Sequence, residues 1–107
     1  MPSRKKYQLV FAAETVDHLH AIDEKYHSLI EDVANGQLLF TPEVETRNRK
    51  PLELPAPAGA TWELRFGPGN RFRLFYEVHG EELEVWILAI GVKERNRLLI
   101  AGEEFKP

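Results

Sequence analysis

The 107 residues include no cysteine, and the chain has no long apolar run. Without thiols it has no disulfide, no cysteine nucleophile and no thiolate zinc site, and it suits a reducing compartment. The longest strongly apolar stretch, residues 85–92, is far shorter than the roughly 20 residues of a helical membrane span. We therefore expect a cytoplasmic protein without a membrane partner.

The beginning of the chain does not have the pattern of a secretory signal. Residues 1–6 are basic, but the apolar run that follows, residues 7–13, is short and ends at Glu14. A signal peptide joins a basic start to a substantial apolar region and a small-residue cleavage site. We expect the protein to remain where it is made.

Size and composition favour one globular domain over residues 1–107. Hydrophobic residues make up 43% of the chain and charged residues 29%, which is ordinary globular usage and unlike a disordered or fibrous chain. A chain of this length buries about two thirds of its unfolded surface, so its core needs no disulfide or metal for support.

The chain also lacks an excess of positive charge. Its 14 Lys and Arg residues face 17 Asp and Glu residues, a formal net charge of −3, which argues against a surface coated for nucleic acid. The charges are unevenly distributed, however. Residues 13–35 carry six acidic side chains against Lys25, whereas residues 46–76 carry six basic side chains against Glu53 and Glu63. An anionic partner would therefore meet the later half.

The first third of the chain changes from a strand period to a helix period. Tyr7, Leu9 and Phe11 alternate with other residues and predict a short strand. A stripe spaced by three and four residues then predicts helix: Val16, Leu19, Ile22, Tyr26, Leu29, Ile30 and Val33. Asn35-Gly36 predicts its end. This region forms either one long helix or a helical hairpin broken near Asp23.

Residues 41–61 have no sustained period and contain four prolines, which predicts a connection. Connections longer than about 12 to 15 residues tend to be functional or mobile. This one carries Arg47, Arg49 and Lys50, so we expect it to bring positive charge over a neighbouring site, the alternative being a solvated basic loop.

The second half predicts three strands. Alternating residues at 62–66 and 72–78, joined by Gly67 to Asn70, predict a β-hairpin. After a turn at residues 79–82, residues 83–92 are apolar at nearly every position, which predicts a central strand covered on both faces, and residues 98–105 form a short tail. The overall prediction from these patterns is an α+β domain, an antiparallel sheet of about four strands backed by N-terminal helical structure.

One face of the β-hairpin carries three arginines. If the apolar face packs on the helices, Arg65, Arg71 and Arg73 project from the opposite face. Like charges on neighbouring strands repel, so the cluster suggests a counter-anion, supplied either by a ligand or by Glu63 and Glu77 of the same face. The alternative is that these arginines are merely solvated.

Further cations follow the central strand. Lys93, Arg95 and Arg97 would lie close to the arginine face if that strand neighbours the hairpin, and the alternative is a charged strand end in water.

No metal site or cofactor site is expected. His18 and His20 are two residues apart in a helical region and face different directions, and His27 and His79 are isolated. Gly67-Pro68-Gly69 joins two strands and opens no helix that would hold a phosphate.

Three motifs together resemble a known family. WELRF at residues 62–66, RFRLFY at residues 71–76 and ILAIGVKER at residues 87–95 are similar to the RelE/ParE superfamily of type II toxin–antitoxin toxins, and the resemblance covers almost the whole chain. It implies a RelE-like fold, in which an N-terminal helical hairpin backs the sheet, and a bacterial toxin with a cognate antitoxin. Toxins of the RelE branch cleave mRNA in the ribosomal A site, and those of the ParE branch poison DNA gyrase.

Carried over to this sequence, the RelE-branch resemblance assigns the catalytic positions to Arg65, Arg73 and Lys93. The expected RNA-binding residues are Arg47, Arg49, Lys50, Arg71, Arg95 and Arg97. The partners would then be the ribosome and mRNA, and the protein would be a ribosome-dependent endoribonuclease. Lys93 stands where an arginine is usual; a lysine keeps the charge but lacks the planar fork.

The chemistry implied is attack of an RNA 2′-hydroxyl on the adjacent phosphate. Arg65 and Arg73 would stabilise the phosphorane-like transition state and Lys93 would protonate the leaving oxygen. Glu63, where a basic residue is frequent, and Leu99, near a usual tyrosine, depart from the RelE branch. They favour two alternatives: a ParE-like gyrase inhibitor without nuclease activity, and an inactive member that only binds its antitoxin.

Overall fold

The computed structural model describes residues 5–107, and within them two helices pack on one face of a seven-stranded sheet. The elements are β1 Gln8–Phe11, α1 Thr15–His20, α2 His27–Leu38, β2 Arg49–Pro51, β3 Trp62–Phe66, β4 Phe72–His79, β5 Glu84–Glu94, β6 Arg97–Ile100 and β7 Glu103–Glu104, with short 3₁₀ turns at Glu24–Tyr26, Pro57–Gly59 and Pro68–Asn70. The predicted α+β class is confirmed, although the sheet has more than the four or so strands expected. Residues 1–4 of the basic start lie outside the described residues.

Strand β5 is the centre of the sheet, as predicted. The antiparallel order is β2-β3-β4-β5-β6-β7, and β1 joins β5 in the one parallel pairing of the described residues. One edge of β5 pairs with β4 over nearly its full length. Its other edge is shared, because β1 pairs with Glu84 to Ile87 and β6 pairs with Gly91 to Glu94.

The additional strands are short and lie in segments that have no visible period. The proline-rich connection contributes β2, three residues that end in Pro51, and the tail folds back as β6 and β7. Strands of two to four residues are too short to show alternation in a sequence. Proline suits β2 because an edge strand has one row of backbone groups without ladder partners.

The helical region is a hairpin that breaks at the predicted place. Asp23 accepts a hydrogen bond from the backbone N–H of Lys25 at 3.0 Å and turns the chain after α1. The Nε2–H group of His27 donates to the carbonyl oxygens of Leu19 and Ile22 at 2.8 and 2.9 Å. His27 thereby satisfies backbone acceptors at the end of α1 from the start of α2.

The predicted end of α2 at Asn35-Gly36 is wrong, since the helix continues to Leu38. Ala34 and Leu38 are fully buried and lie four residues apart on the face that contacts the sheet. Burying that pair outweighs the weak helix propensity of the exposed asparagine and glycine between them.

The main core forms between the helices and the apolar face of the β3–β4 hairpin, as predicted. Its fully buried members come from both layers: Ile30, Ala34, Leu38, Leu64, Phe72, Leu74, Tyr76, Val85, Ile87 and Ile90. The Tyr76 hydroxyl donates to the carbonyl oxygen of Pro42 at 2.7 Å and fastens the connection to the core. Val16, assigned to the apolar stripe, is exposed. None of the helices in residues 5–107 is long and apolar enough to cross a membrane.

A β-bulge in β5 creates a second, smaller core on the other face of the sheet. Tyr76 pairs with Ile87 and Phe75 pairs with Ala89, which leaves Leu88 as an extra residue. Phe75 and Ala89 are buried with Ala60, and Leu88 packs against them. The arginine-bearing face therefore also has a small, packed apolar core beside its charged side chains.

Candidate functional site

Arg65 and Arg73 lie directly opposite each other on β3 and β4. Their neighbours Leu64 and Leu74 form the next register pair and are buried in the main core. Because side chains alternate along a strand, both arginines lie on the face away from the helices, as the alternation predicted.

Glu63 is the counter-anion of this arginine pair. Its Oε1 atom lies 2.6 Å from Nε of Arg65, and its Oε2 atom lies 3.4 Å from Nη1 of Arg73. The carboxylate side chain is only 8% exposed. Glu77, the other carboxylate considered for this role, accepts a hydrogen bond from Nε2 of His79 instead. Glu63, Arg65 and Arg73 are called the Glu63 cluster below.

The two arginines of the Glu63 cluster differ in exposure. The Arg73 side chain is 12% exposed, and its Nε–H group donates to the carbonyl oxygen of Asn70 at 3.0 Å. The Arg65 side chain is 46% exposed. Burial lowers the pKa of the Arg73 guanidinium, the Glu63 carboxylate opposes this shift, and the charge of Arg65 adds to it. Arginine remains protonated in proteins, so the cluster carries one net positive charge.

Lys93 shares the face of the Glu63 cluster. It lies two residues beyond Gly91, the register partner of Arg73 on β5, and its backbone N–H donates to the carbonyl oxygen of Arg71 at 2.7 Å. The Lys93 side chain is partly exposed, and no carboxylate of residues 5–107 forms an ion pair with it. The structure thus places the three residues predicted to be catalytic on adjacent strands and one face.

Gly91 lets β6 approach closely beside Arg73. A Cβ atom at this position would lie 2.9 Å from Cδ1 of Leu98 and 3.2 Å from the carbonyl oxygen of Leu99. A larger residue would require the Leu98 side chain and the Leu99 carbonyl group to shift. Strand β6 therefore packs tightly against β5 beside the site.

Arg71 does not lie with the other two arginines, contrary to the prediction. Its guanidinium is 3.7 Å from the Glu94 carboxylate and lies over the Phe72 ring, 5.8 Å from the centroid. It lines a cavity of about 110 Å³ on the helix side of the sheet, together with Tyr26 and Leu99. Arg71 has helical backbone angles and precedes β4, so strand alternation does not apply to it.

Arg49, expected to contact RNA from a mobile connection, is instead buried in the fold. It pairs with Leu64 in the register of β2 and β3 and is buried. Its Nη1 atom donates to the carbonyl oxygens of Gln37 and Thr41 and to the Thr41 hydroxyl. Arg49 therefore joins the end of α2 to the sheet. Lys50, the next residue, is exposed and forms an ion pair with Glu45 at 3.3 Å.

The remaining predicted cations are exposed at one end of the sheet. Arg47 precedes Asn48, whose carbonyl oxygen accepts the backbone N–H of Arg65 at 2.8 Å. Arg95 is in the tight turn between β5 and β6 with φ of 55°, and Arg97 pairs with Glu94 in register. Alternation along β6 puts Arg97 on the helix side of the sheet with Leu99, so Arg97 does not share the face of the Glu63 cluster.

Three of the histidine side chains form hydrogen bonds within the fold. His18, His27 and His79 bond to backbone groups or to Glu77, and within residues 5–107 no three His, Asp or Glu side chains converge as metal ligands. One polar contact of the Glu63 cluster that sequence patterns did not indicate comes from Asn70, whose backbone carbonyl in the β3–β4 turn accepts the Nε–H group of Arg73.

Comparison with known proteins supports one fold assignment. No protein-family model and no curated protein matches the chain. A chain in the crystal structure of the toxin–antitoxin complex RelBE2 from Mycobacterium tuberculosis is similar in structure, with a TM-score of 0.65 and 26% sequence identity. The match covers 82% of this chain and 99% of the other. The RelE-like fold predicted from the strand motifs is confirmed.

Proposed function

We propose that this RelE-like chain is the toxin of a type II toxin–antitoxin module. The support is a fold that matches nearly the full length of a chain from a toxin–antitoxin complex, combined with the strand motifs that suggested the family. An antitoxin is then the first partner, and it would cover the cationic face when the toxin is silent.

The target we favour is mRNA on the ribosome. The observation that carries this choice is the arrangement of Arg65, Arg73 and Lys93 on three adjacent strands of one face. Cleavage needs positive charge near the phosphorane-like transition state and a proton for the leaving oxygen. Arg65 and Arg73 supply the charge, and Lys93, which has a proton to give and no carboxylate partner in the described chain, supplies the proton.

The site is weakly charged for a nuclease. The site has three cations, Arg65, Arg73 and Lys93, and one carboxylate, Glu63, so it carries a net charge of only about +2. No side chain in this arrangement acts as an evident general base. The chemistry therefore depends on positioning of the RNA, which the ribosome would provide.

Expression of the chain alone in bacteria tests this proposal. We expect growth arrest together with mRNA cleavage confined to translated regions. The variant Arg65→Ala should remove both effects, whereas Lys25→Ala, which removes an exposed cation from the helix side, should leave them intact. Growth at the normal rate with full-length, folded protein present would support the inactive, antitoxin-binding alternative.

A second candidate function is inhibition of DNA gyrase without nuclease activity. The observation in its favour is the Glu63 carboxylate, which neutralises part of the arginine pair and leaves Arg73 only 12% exposed. A binding-only toxin needs no free catalytic set. Growth arrest with intact mRNA and induced DNA damage in the same experiment would select this function.

A further inference from the structure

The Glu63 cluster is layered, with two largely covered members and one exposed member. Glu63 and Arg73 have side-chain exposures of 8% and 12%, whereas that of Arg65 is 46%. We infer that Glu63 and Arg73 are positioning residues that hold Arg65, and that Arg65 is the member of the cluster that contacts a phosphodiester. The inference rests on the proposed function only in naming that ligand.

Arg65 is held at one edge of its guanidinium and free at the other. Its Nε–H group donates to Oε1 of Glu63 at 2.6 Å, a short charge-assisted hydrogen bond. Its Nη1 and Nη2 atoms form no hydrogen bond within residues 5–107. These terminal donors match the geometry of two phosphate oxygens, and fixing Nε lowers the cost of orienting them.

Arg73 has fewer free donors than Arg65. Its Nε–H group is bonded to the carbonyl oxygen of Asn70, its Nη1 atom is bonded to Oε2 of Glu63, and only Nη2 forms no hydrogen bond within residues 5–107. Arg73 therefore offers a phosphate one unbonded nitrogen, whereas Arg65 offers two. The positive charge of Arg73 also stabilises the buried carboxylate that holds Arg65, because an unpaired buried carboxylate is costly.

Glu63 is not placed like a carboxylate that mimics an RNA phosphate and is displaced when RNA binds. It lies in the middle of β3, with Lys50 and Phe75 as register neighbours on the flanking strands. A mimic that yields to RNA would be exposed and on a movable segment. Glu63 is fixed beneath the arginines, so it supports Arg65 while an anion binds above.

The substitution Glu63→Gln distinguishes positioning from simple charge neutralisation, because the two predict opposite signs. Removing a carboxylate next to an arginine strengthens anion binding if the carboxylate only competes for the charge. If the carboxylate instead holds Arg65 in position, its removal weakens anion binding. The test is titration of the folded protein with inorganic phosphate, following the side-chain Nε–H signals of Arg65 and Arg73 by NMR.

We expect the Arg65 signal of the wild-type protein to shift with phosphate and the Arg73 signal to stay nearly unchanged. Glu63→Gln should weaken phosphate binding at Arg65 by about fivefold or more, the loss of one charge-assisted hydrogen bond. The matched control is Glu94→Gln, which removes a carboxylate from the half-exposed pair with Arg71 and should not weaken binding at Arg65.

Tighter phosphate binding in Glu63→Gln would overturn the inference. So would a wild-type titration in which Arg73 shifts and Arg65 does not, a result that needs no variant to fold. Arg65→Lys, which keeps the charge and loses the fork, should reproduce the loss and provides a second variant. Phosphate binding at Arg65 without mRNA cleavage in cells would contradict the proposed target and leave the roles within the cluster standing.

Discussion

Burial makes Arg73 and Arg65 unequal contributors to stability. Alternation along the strands places both on the same face, but only Arg73 is covered and bonded to both Glu63 and Asn70. Removing one partner of a buried pair leaves an uncompensated charge, which costs far more than breaking an exposed pair.

We predict that Arg73→Ala lowers the free energy of unfolding by about 1–3 kcal/mol, because Glu63 then keeps only Arg65 as a partner. Arg65→Ala should cost about 1 kcal/mol or less, since much of the Arg65 side chain is in solvent. Urea denaturation of both variants measures these costs. Equal losses would contradict the layered description of the Glu63 cluster.

His18 makes stability depend on pH. Its Nδ1 atom accepts the backbone N–H of Ile90 at 3.2 Å, which requires that nitrogen to be unprotonated. Burial lowers the pKa of His18, against the smaller opposite influence of the Asp17 and Glu14 carboxylates. The unfolded chain therefore binds more protons at this residue. The stability it contributes is present above its unfolded pKa of about 6.5 and is lost as the pH falls toward the folded pKa.

We predict that the wild-type free energy of unfolding decreases as the pH is lowered from about 7 to 5.5, and that His18→Gln reduces this slope. His79 acts in the opposite direction, because its hydrogen bond to Glu77 raises its pKa. His79→Gln should thus make the decrease steeper. Urea titrations at several pH values measure all three slopes, and an unchanged slope in His18→Gln would remove His18 as the cause.

Among the elements, β5 and β6 approach each other closely at Gly91. This contact lies beside the Glu63 cluster and leaves little room for a side chain on the β5 residue. Gly36, in contrast, lies in α2 with nothing within 4 Å of a Cβ atom.

We predict that Gly91→Ala lowers the free energy of unfolding by about 1–3 kcal/mol, because the added methyl group overlaps Leu98 and the Leu99 carbonyl. The same change at Gly36 should raise it by about 0.5–1 kcal/mol, since alanine is the better helix former. Chemical denaturation of the two variants gives the comparison. A neutral Gly91→Ala would mean that β6 moves freely relative to β5.

The sequence predicted those elements whose period is long enough to be visible. The hairpin of β3 and β4 and the central β5 follow from alternation or continuous apolarity over five residues or more. The strands β2, β6 and β7 are too short for a period, and the end of α2 is decided by tertiary burial of Leu38. Local patterns carry no information on such long-range contacts.

The candidate site was predictable to a similar extent. Alternation placed Arg65 and Arg73 together and proposed Glu63 as a counter-anion, because these residues belong to regular strands. It failed for Arg71, which precedes its strand, and for Arg49, which lies in a strand that the sequence did not reveal. Exposure of each arginine depends on packing around it, so the division between Arg65 and Arg73 required the structure.

Across the whole molecule, the charged side chains are unevenly distributed. The acidic side chains of residues 14–32 are all exposed in the helical segment, whereas the Glu63 cluster and Lys93 lie on the face of the sheet away from the helices. A net charge of −3 therefore conceals a charge separation that would orient the protein toward an anionic partner. This polarity favours approach of the proposed RNA target to the arginine face.

Addition of the purified protein to a reconstituted translation reaction with a defined mRNA measures the proposed activity most directly. We predict that protein synthesis stops and that the mRNA is cut only when ribosomes occupy it, because the site depends on the ribosome to position the RNA. Arg65→Ala should leave the mRNA whole. Continued translation and intact mRNA in the presence of folded wild-type protein would contradict the proposed function.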